Sequence, residues 1–559
     1  MRTSTKIRIL TLSAVGLTTA CYGGKDDMTM ADTEGGDGDG DGDGGADGDG
    51  DGGTPDGVQE RCEESKIGPP MLRRLTRYEL GETIRAVFPE ISADFAGTTL
   101  GPDTVSALGF ANDAAVLTVT EQTAKELEET AQQVATLVTT SPAFAQILPC
   151  AATGDAACAS SFVDDYGARL FRRALTDAER QRYLDLQVSV QSRSDFATGI
   201  RWTLVAMLQS PHVVYRSELG EVDDDGRGLQ DWELASALSY DFAGGPPDAE
   251  LLQLAAEGAL ADPDVRVQQA RRLLGTAAGK EVLARFYVDW LDYERVDLQS
   301  RPNTPEFDAV RESMSLETRR YIDSVLASGG GVDELLLSDH TVLDPALAGF
   351  YGYGQSAADG EAVTRPESWS VGLLAQGSIL AANSHAEASS PTRRGLLVYE
   401  RLLCNERPPV PENIPPIEPP SPGATTTRQR YEEQHAGSPA CSGCHALFDP
   451  IGFAFEHFDE TGRYRADESG LPIDASGALL ADPDAAFDGL TGLSETLAEL
   501  PEVTDCISGL SAAYVFGGAG GTACVAEDAR AALAAGDVGL AEFVAQIAAS
   551  PHFSRRTGG

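Results

Sequence analysis

Beyond residue 70, apolar residues recur every three or four positions along most of the chain, and that spacing predicts helices. Over 121–138 the apolar face is Ala124, Leu127, Ala131, Val134 and Val138. Over 264–274 it is Val265, Val267, Ala270 and Leu274, and over 314–326 it is Met314, Tyr321, Ile322, Val325 and Leu326. A stripe of this period lies on one side of a helix. Strand signals are few: residues 471–480, with Asp474-Ala475-Ser476-Gly477 in the middle, predict one small hairpin. The predicted class is mainly α. Several helical domains stand in tandem, because roughly 500 residues exceed what a single core serves.

Breaks in the pattern divide the chain into an export signal over 1–21, a tether over 22–60, and helical domains over 66–145, 150–220 and 221–360. A cofactor-binding domain with few strands follows over 365–465, then a small helical domain over 470–556. The proline-rich run 408–422 predicts an extended, partly polyproline connector. One short pattern occurs twice. Leu208-Gln209-Ser210-Pro211-His212 leads to Arg216, and Ala549-Ser550-Pro551-His552-Phe553 leads to Arg556. Each follows an apolar helical run, and the proline stops or restarts a helix. We read it as one structural punctuation used twice, with His212 and His552 packing or capping rather than binding a ligand.

The N-terminus begins with Arg2, Lys6 and Arg8 and continues into twelve mostly apolar residues, 9–20. That is too short to span a bilayer but suits an export signal. Leu17-Thr18-Thr19-Ala20-Cys21 resembles a bacterial lipoprotein box, with Thr18 where a Leu is usual. It predicts lipidation at Cys21 and a membrane anchor, either on the outer membrane or facing the periplasm or cell surface. The alternative is a plain secretory signal with an incidental Cys. The tether is built on Asp-Gly repeats, which offer no core and repel one another, so a disordered spacer is expected.

The net charge is −45. The signal contributes +3 and residues 22–58 contribute −11, which leaves −37 on the remainder. Nucleic-acid binding is excluded, since it needs clustered Lys and Arg. A basic redox partner is the kind of protein such a surface steers.

The chain has nine cysteines and seven histidines. Three of the cysteines are set apart: Cys21, and the pair within Cys441-Ser442-Gly443-Cys444-His445. C-x-x-C-H is the attachment signature of c-type haem: two thiols bond the haem vinyl groups and the imidazole takes the iron. The rival readings are a thioredoxin-like dithiol and half of a zinc site. The first wants a strand–helix unit that the pattern does not show. The second wants a nearby pair, and His435 and His457 lack finger-like spacing. We take covalent haem c, with His445 as proximal ligand. Six cysteines remain, an even number fit for disulfides in an exported protein. Cys150–Cys158 and Cys506–Cys524 are the natural local pairs, which leaves Cys62–Cys404, although sequence alone leaves the connectivity open.

The sixth iron ligand decides the chemistry. No Met follows Met314, so a Met downstream of the motif is excluded. His385 in Asn383-Ser384-His385 is the leading candidate, and His435 and His457 are weaker. Phe453, Phe455 and Phe458 are read as core or haem edge. Arg393, Arg394 and Arg465 are candidate propionate partners. Glu456 and Asp459 either orient neighbouring groups or cap a helix. No phosphate-binding loop, G-x-S-x-G elbow or H-E-x-x-H is present.

Several further segments carry a resemblance. They are Leu72-Arg73-Arg74-Leu75-Thr76-Arg77-Tyr78-Glu79 with Gly109-Phe110-Ala111-Asn112, and Phe171-Arg172-Arg173-Ala174-Leu175-Thr176. Leu238-Ser239-Tyr240 through Pro247-Asp248 follows, then Ser390-Pro391-Thr392-Arg393-Arg394-Gly395 with the haem motif and Asp449-Pro450-Ile451-Gly452-Phe453-Ala454-Phe455-Glu456. Together they resemble the cytochrome-like, exported multidomain proteins abundant in planctomycetes and myxobacteria, whose tandem PSD-type and PSCyt-type domains have no assigned function. The resemblance implies an exported, haem-bearing role and supplies no substrate. We therefore expect an anchored mono-haem protein that transfers electrons, or is the redox module of an oxidoreductase assembly with a second exported protein. The alternatives are a surface binding or scaffold protein, for polysaccharide among other ligands, and a peroxidase-like enzyme with an open iron.

Overall fold

In the computed structural model the chain is described over residues 68–557, except 225, 354–357, 367–371, 410–424, 434–438, 480–484 and 519–526. The expected export signal and tether, with Cys21, Cys62, His435, Cys524 and most of the proline-rich run, lie outside the described residues. Those described belong to one unit, Asp56–Gly559.

The helical period is realised where the pattern placed it. After strand β1 (Met71–Arg74), helix α1 (Arg77–Val87) starts at a reciprocal cap. The Glu79 amide donates to Thr76 Oγ1 at 3.1 Å, and the Thr76 amide to Glu79 Oε2 at 2.7 Å. Two orphan amide groups are satisfied at once. Helices α2 (Glu121–Thr140), α3 (Ala156–Phe171), α4 (Asp177–Gln191) and α5 (Phe196–Leu208) follow. They share one core with α1 through Ile84, Val134, Phe162, Leu204 and Met207. Strand β2 (Tyr215–Glu218) pairs antiparallel with β1, Met71 opposite Glu218. Then come α6 (Asp231–Ala243), α7 (Pro263–Leu274), α8 (Ala277–Leu291) and α9 (Arg311–Ser328). A second core joins Leu238, Trp290 and Ile322 to Phe455, Leu510 and Phe543. Met314 closes a small third core with Phe307 and Leu347.

The hairpin expected over 471–480 does not form. Leu471–Pro472 pairs back onto Asp467–Glu468, and Ser476–Ala478 pairs forward onto Ala486–Asp488. The turn residues are right, since Asp474 Oδ1 accepts from the Ser476 amide and hydroxyl. But Arg428 donates to the Asp474 and Ser476 carbonyls, which occupies the backbone that a hairpin would use. Gly477 packs against the Pro450 carbonyl where a Cβ has no room.

The repeated Ser-Pro-His pattern is a capped one-turn helix in both places. Ser210 Oγ accepts from the His212 amide and Ser550 Oγ from the His552 amide, with proline in the first turn. The arginines that end the two copies meet at one carboxylate. Arg216 Nη2 lies 3.2 Å from Glu218 Oε1, and Arg556 binds Glu218 Oε2. Arg73 of β1 adds a third guanidinium at 3.2 Å, and Asp241 takes Arg216 at 2.7 Å and Arg73 at 3.3 Å. All five groups are buried. Desolvation raises the Glu218 carboxyl, but Arg556, Arg73 and Arg216 outweigh it and hold it well below the ordinary range.

Cys150 and Cys158 are joined, as their nearness suggests. Cys404 is joined to Cys506 over 102 residues of chain, with Cα atoms 5.5 Å apart. This corrects the pairing of Cys506 with Cys524 and of Cys404 with Cys62. Cys404 has a left-handed φ of 51°, which ends the turn after Val398–Leu402 beside helix Pro501–Phe516. The pairing is decided across packed helices, not along the chain.

At the end of α8, burial pushes the Asp289 carboxyl up to about 6. Glu294 and Asp103 add to that rise, and the Ala111 amide and Arg285 oppose it. Between pH about 4 and about 6 the folded chain therefore keeps a proton that the unfolded chain has released. Stability from this group falls as pH rises through that window. Asp289→Asn is expected to remove that loss. Urea midpoints at pH 4, 5, 6 and 7 should show the variant gaining on the wild type with rising pH, and parallel midpoints would contradict it.

Candidate functional site

Two helices carry the C-x-x-C-H motif and its support. Helix α10 (Pro391–Leu397) starts on Ser390, whose hydroxyl accepts from the Arg393 amide, with proline at its first position. Helix α11 (Pro439–Phe453) contains Cys441, Cys444 and His445. The helices touch backbone to backbone. A Cβ on Gly395 would collide with the Phe448 carbonyl, and one on Gly452 with the Pro391 carbonyl. That explains glycine at both positions, since no larger residue permits the approach.

Positions i, i+3 and i+4 share a helix face, so Cys441, Cys444 and His445 point the same way from α11. The two cysteines are unpaired and half-buried, while Cys150, Cys158, Cys404 and Cys506 are all in disulfides. One more turn along α11, Asp449 Oδ2 lies 2.9 Å from His445 Nδ1. Thr392 of α10 donates from Oγ1 to Asp449 Oδ1 at 2.6 Å and lies 3.5 Å from His445 Nδ1. Phe448 meets the imidazole edge-on at 5.2 Å between centroids. Histidines that ligate a metal almost always donate their other ring N–H to a carboxylate or carbonyl. The Nδ1 bond sets the tautomer that presents the Nε2 lone pair. Two thiols and an anchored imidazole on one face fit a haem c. Among the described residues no group of three or more His, Cys, Asp or Glu is placed to hold a metal ion.

The other residues expected at the site divide sharply. Arg394 is buried and donates to the carbonyls of Leu380, Phe455, Phe458 and Asp459 and to Ser384 Oγ. It is a strut between α10 and the segment after α11, not a propionate partner. Arg465 is held by Glu456 Oε2 at 2.8 Å, the Glu456 carbonyl and Ser389. Arg393 is exposed and donates from Nη1 to the Ser384 carbonyl at 2.9 Å, which leaves further donors unused. Glu456 is buried and bonds Ser389 and Arg465. Asp459 Oδ1 accepts from Thr461 and Arg463 and organises the turn there. Neither bonds His445. His457 Nδ1 lies 3.0 Å from the Arg465 carbonyl, and its ring stacks on Tyr464. Phe453, Phe455 and Phe458 are core residues.

His385 stands in the turn that leads into α10, its amide donating to the Ala388 carbonyl at 2.9 Å. Its surface is exposed, yet desolvation, with Arg393 and Arg301, holds the imidazole below its ordinary pKa. On the α10 side, Thr392 Oγ1 lies 3.5 Å from His445 Nδ1. Asp449 and Thr392 were not nominated from sequence. A signal for Asp449 was present, because it stands four residues after His445 on a helical stretch.

Comparison with known proteins adds the following. Residues 73–140 match the family model PSD3, residues 158–218 PSD5, residues 229–353 PSD4 and residues 370–468 PSCyt3. Each is described as a protein of unknown function, respectively DUF1587, DUF1595, DUF1592 and DUF1588. No curated protein and no solved structure matches the chain. The chain thus carries four tandem domains of the PSD and PSCyt types, and Cys441, Cys444 and His445 fall within its PSCyt3-type domain.

Proposed function

We propose that this chain is an exported, lipid-anchored mono-haem c-type protein that passes electrons, alone or as the redox module of a larger assembly. The observation that carries this reading is the face of α11, with two unpaired thiols beside an imidazole fixed by Asp449. Haem bound there supplies a one-electron couple. Around it, Asp449 and Thr392 orient the imidazole, and Arg393 offers donors to a propionate. His385, on the turn that leads into α10, would supply a second imidazole to the iron. The acidic remainder of the chain, −37, suits a basic exported partner.

The test is expression with a c-type haem maturation system. A haem band that survives denaturation and solvent extraction is expected, and it should vanish in Cys441→Ala/Cys444→Ala. No such band in the wild type would reject the proposal. A low-spin spectrum is expected to turn high-spin in His385→Ala, and an unchanged spectrum would remove His385 as ligand. Cys21→Ser is expected to move the protein from the membrane fraction to the soluble one.

A further inference from the structure

Away from α11, the motif segments that the haem does not use come together. Thr76, Tyr78 and Glu79 at the start of α1, Asn112 after Phe110, Asp241 of α6 and Asp289 of α8 wall a cavity of about 80 Å³. That is several times what one water needs. Its polar groups do not balance. Asp289 Oδ2 accepts only from the Ala111 amide, at 3.2 Å, and Glu79 Oε2 only from the Thr76 amide. Asp241 is held through Oδ1 alone. The second oxygen of each carboxylate makes no hydrogen bond to a described residue. Asn112 donates from Nδ2 to the Tyr514 carbonyl at 2.7 Å, while its buried Oδ1 has no partner. The buried Asn112 Oδ1 is an acceptor without a donor, which is costly. Acceptors outnumber donors here: Asp103, Asp241, Asp289 and Glu79 share the wall with the single guanidinium of Arg285, whose Nε makes no hydrogen bond to a described residue.

A second chamber of about 350 Å³ shares Tyr78, Asp103 and Arg285 as its wall and adds Arg77 and Arg85. Its character is the reverse. Arg285 lies over the Tyr78 ring at 3.7 Å. The Arg77 side chain is exposed and bonds no described residue. Arg85 shares one ion pair with Glu82 at 3.0 Å. Guanidinium groups with unused donors suit a carboxylate.

We propose that the two chambers together bind a small aminocarboxylate, its ammonium among Asp289, Asp241, Glu79 and Asn112 and its carboxylate toward Arg77 and Arg285. An ammonium brings the three donors that the inner oxygens lack. A divalent cation is disfavoured, because no group of three acidic or metal-ligating side chains there is placed to hold one. The site draws on the PSD3-type and PSD4-type segments and stands independently of the haem.

The test is calorimetry on the full chain at pH 7.5 with glycine, β-alanine, 4-aminobutyrate and 6-aminohexanoate, and with methylammonium and acetate as half-ligands. At least one aminocarboxylate is expected to bind saturably, at least about tenfold more tightly than either half-ligand. Asp289→Asn should weaken it by about tenfold or more while leaving the fold at least as stable at this pH, so lost binding is not lost structure. Arg77→Ala should weaken the aminocarboxylates and spare methylammonium. The proposal is overturned if no aminocarboxylate saturates at millimolar concentration. It is also overturned if acetate alone binds as tightly, or if Asp289→Asn binds like the wild type.

Discussion

Glu218→Gln is expected to destabilise the chain by about 3–5 kcal/mol, the cost of removing one partner from a buried ion cluster. Three guanidiniums converge on this carboxylate, and none has water to fall back on. With Gln there, Asp241 would be the one carboxylate facing Arg73 and Arg216, Arg73 keeping also the Val515 carbonyl, and Arg556 would keep the carbonyls of His552 and Arg555. The loss is larger than a local one because of what the cluster joins. Arg73 comes from β1, Glu218 and Arg216 from β2, and Arg556 from the C-terminal strand that pairs with Gly226–Gly228. For contrast, Glu121→Gln breaks the exposed pair with Lys125 and is expected to cost less than about 1 kcal/mol. Urea denaturation of the two variants separates these effects, and equal midpoints would show that the cluster carries no special weight. Because the Glu218 carboxyl is held below its unfolded value, its contribution is present above the ordinary Glu range. It is lost as pH falls through the lowered value. The gap between wild type and Glu218→Gln should therefore narrow on acidification.

That cluster also shows what the sequence made legible. The Ser-Pro-His echo is visible in the letters because capping is local: Ser, Pro and the next amide are neighbours. The meeting of Arg216 and Arg556 at one carboxylate is invisible there, because it depends on strands brought together across some 340 residues. The helices follow the same division. Periodicity located α2, α7 and α9 to within three residues at each end, since one face must meet a core. The hairpin at 471–480 was misplaced because its turn chemistry is correct and its partner strands are not. Cys506 was assigned to its neighbour in the chain although a helix packing puts Cys404 beside it. At the candidate site, the spacing of Cys441, Cys444 and His445 was readable as one helix face. Arg394 was misread, because a buried arginine spent on carbonyl oxygens looks, in sequence, like one waiting for an anion.

With the proposed haem attached, Asp449→Asn is expected to raise its reduction potential while leaving covalent attachment intact. A carboxylate on His445 Nδ1 makes the imidazole a stronger electron donor and favours the more positive oxidation state of the iron. Asn keeps the shape but withdraws the charge. Hydrogen bonds to charged groups are worth about 1.5–3 kcal/mol. If that difference falls on the oxidised form, the shift is about 60–130 mV for one electron. Thr392→Val should move the potential the same way by less, because Thr392 only orients the carboxylate through Oδ1 at 2.6 Å. Spectroelectrochemical titration of the two variants and the wild type reads both shifts. An unchanged potential in Asp449→Asn, with the covalent haem band present, would mean that the His445–Asp449 bond merely holds α11 together. No band at all would instead reject haem attachment, so the two failures are distinguishable. The ordering matters as much as the size. A structural role predicts that both variants lose stability with no common trend in potential. Control of the imidazole predicts Asp449→Asn above Thr392→Val above wild type.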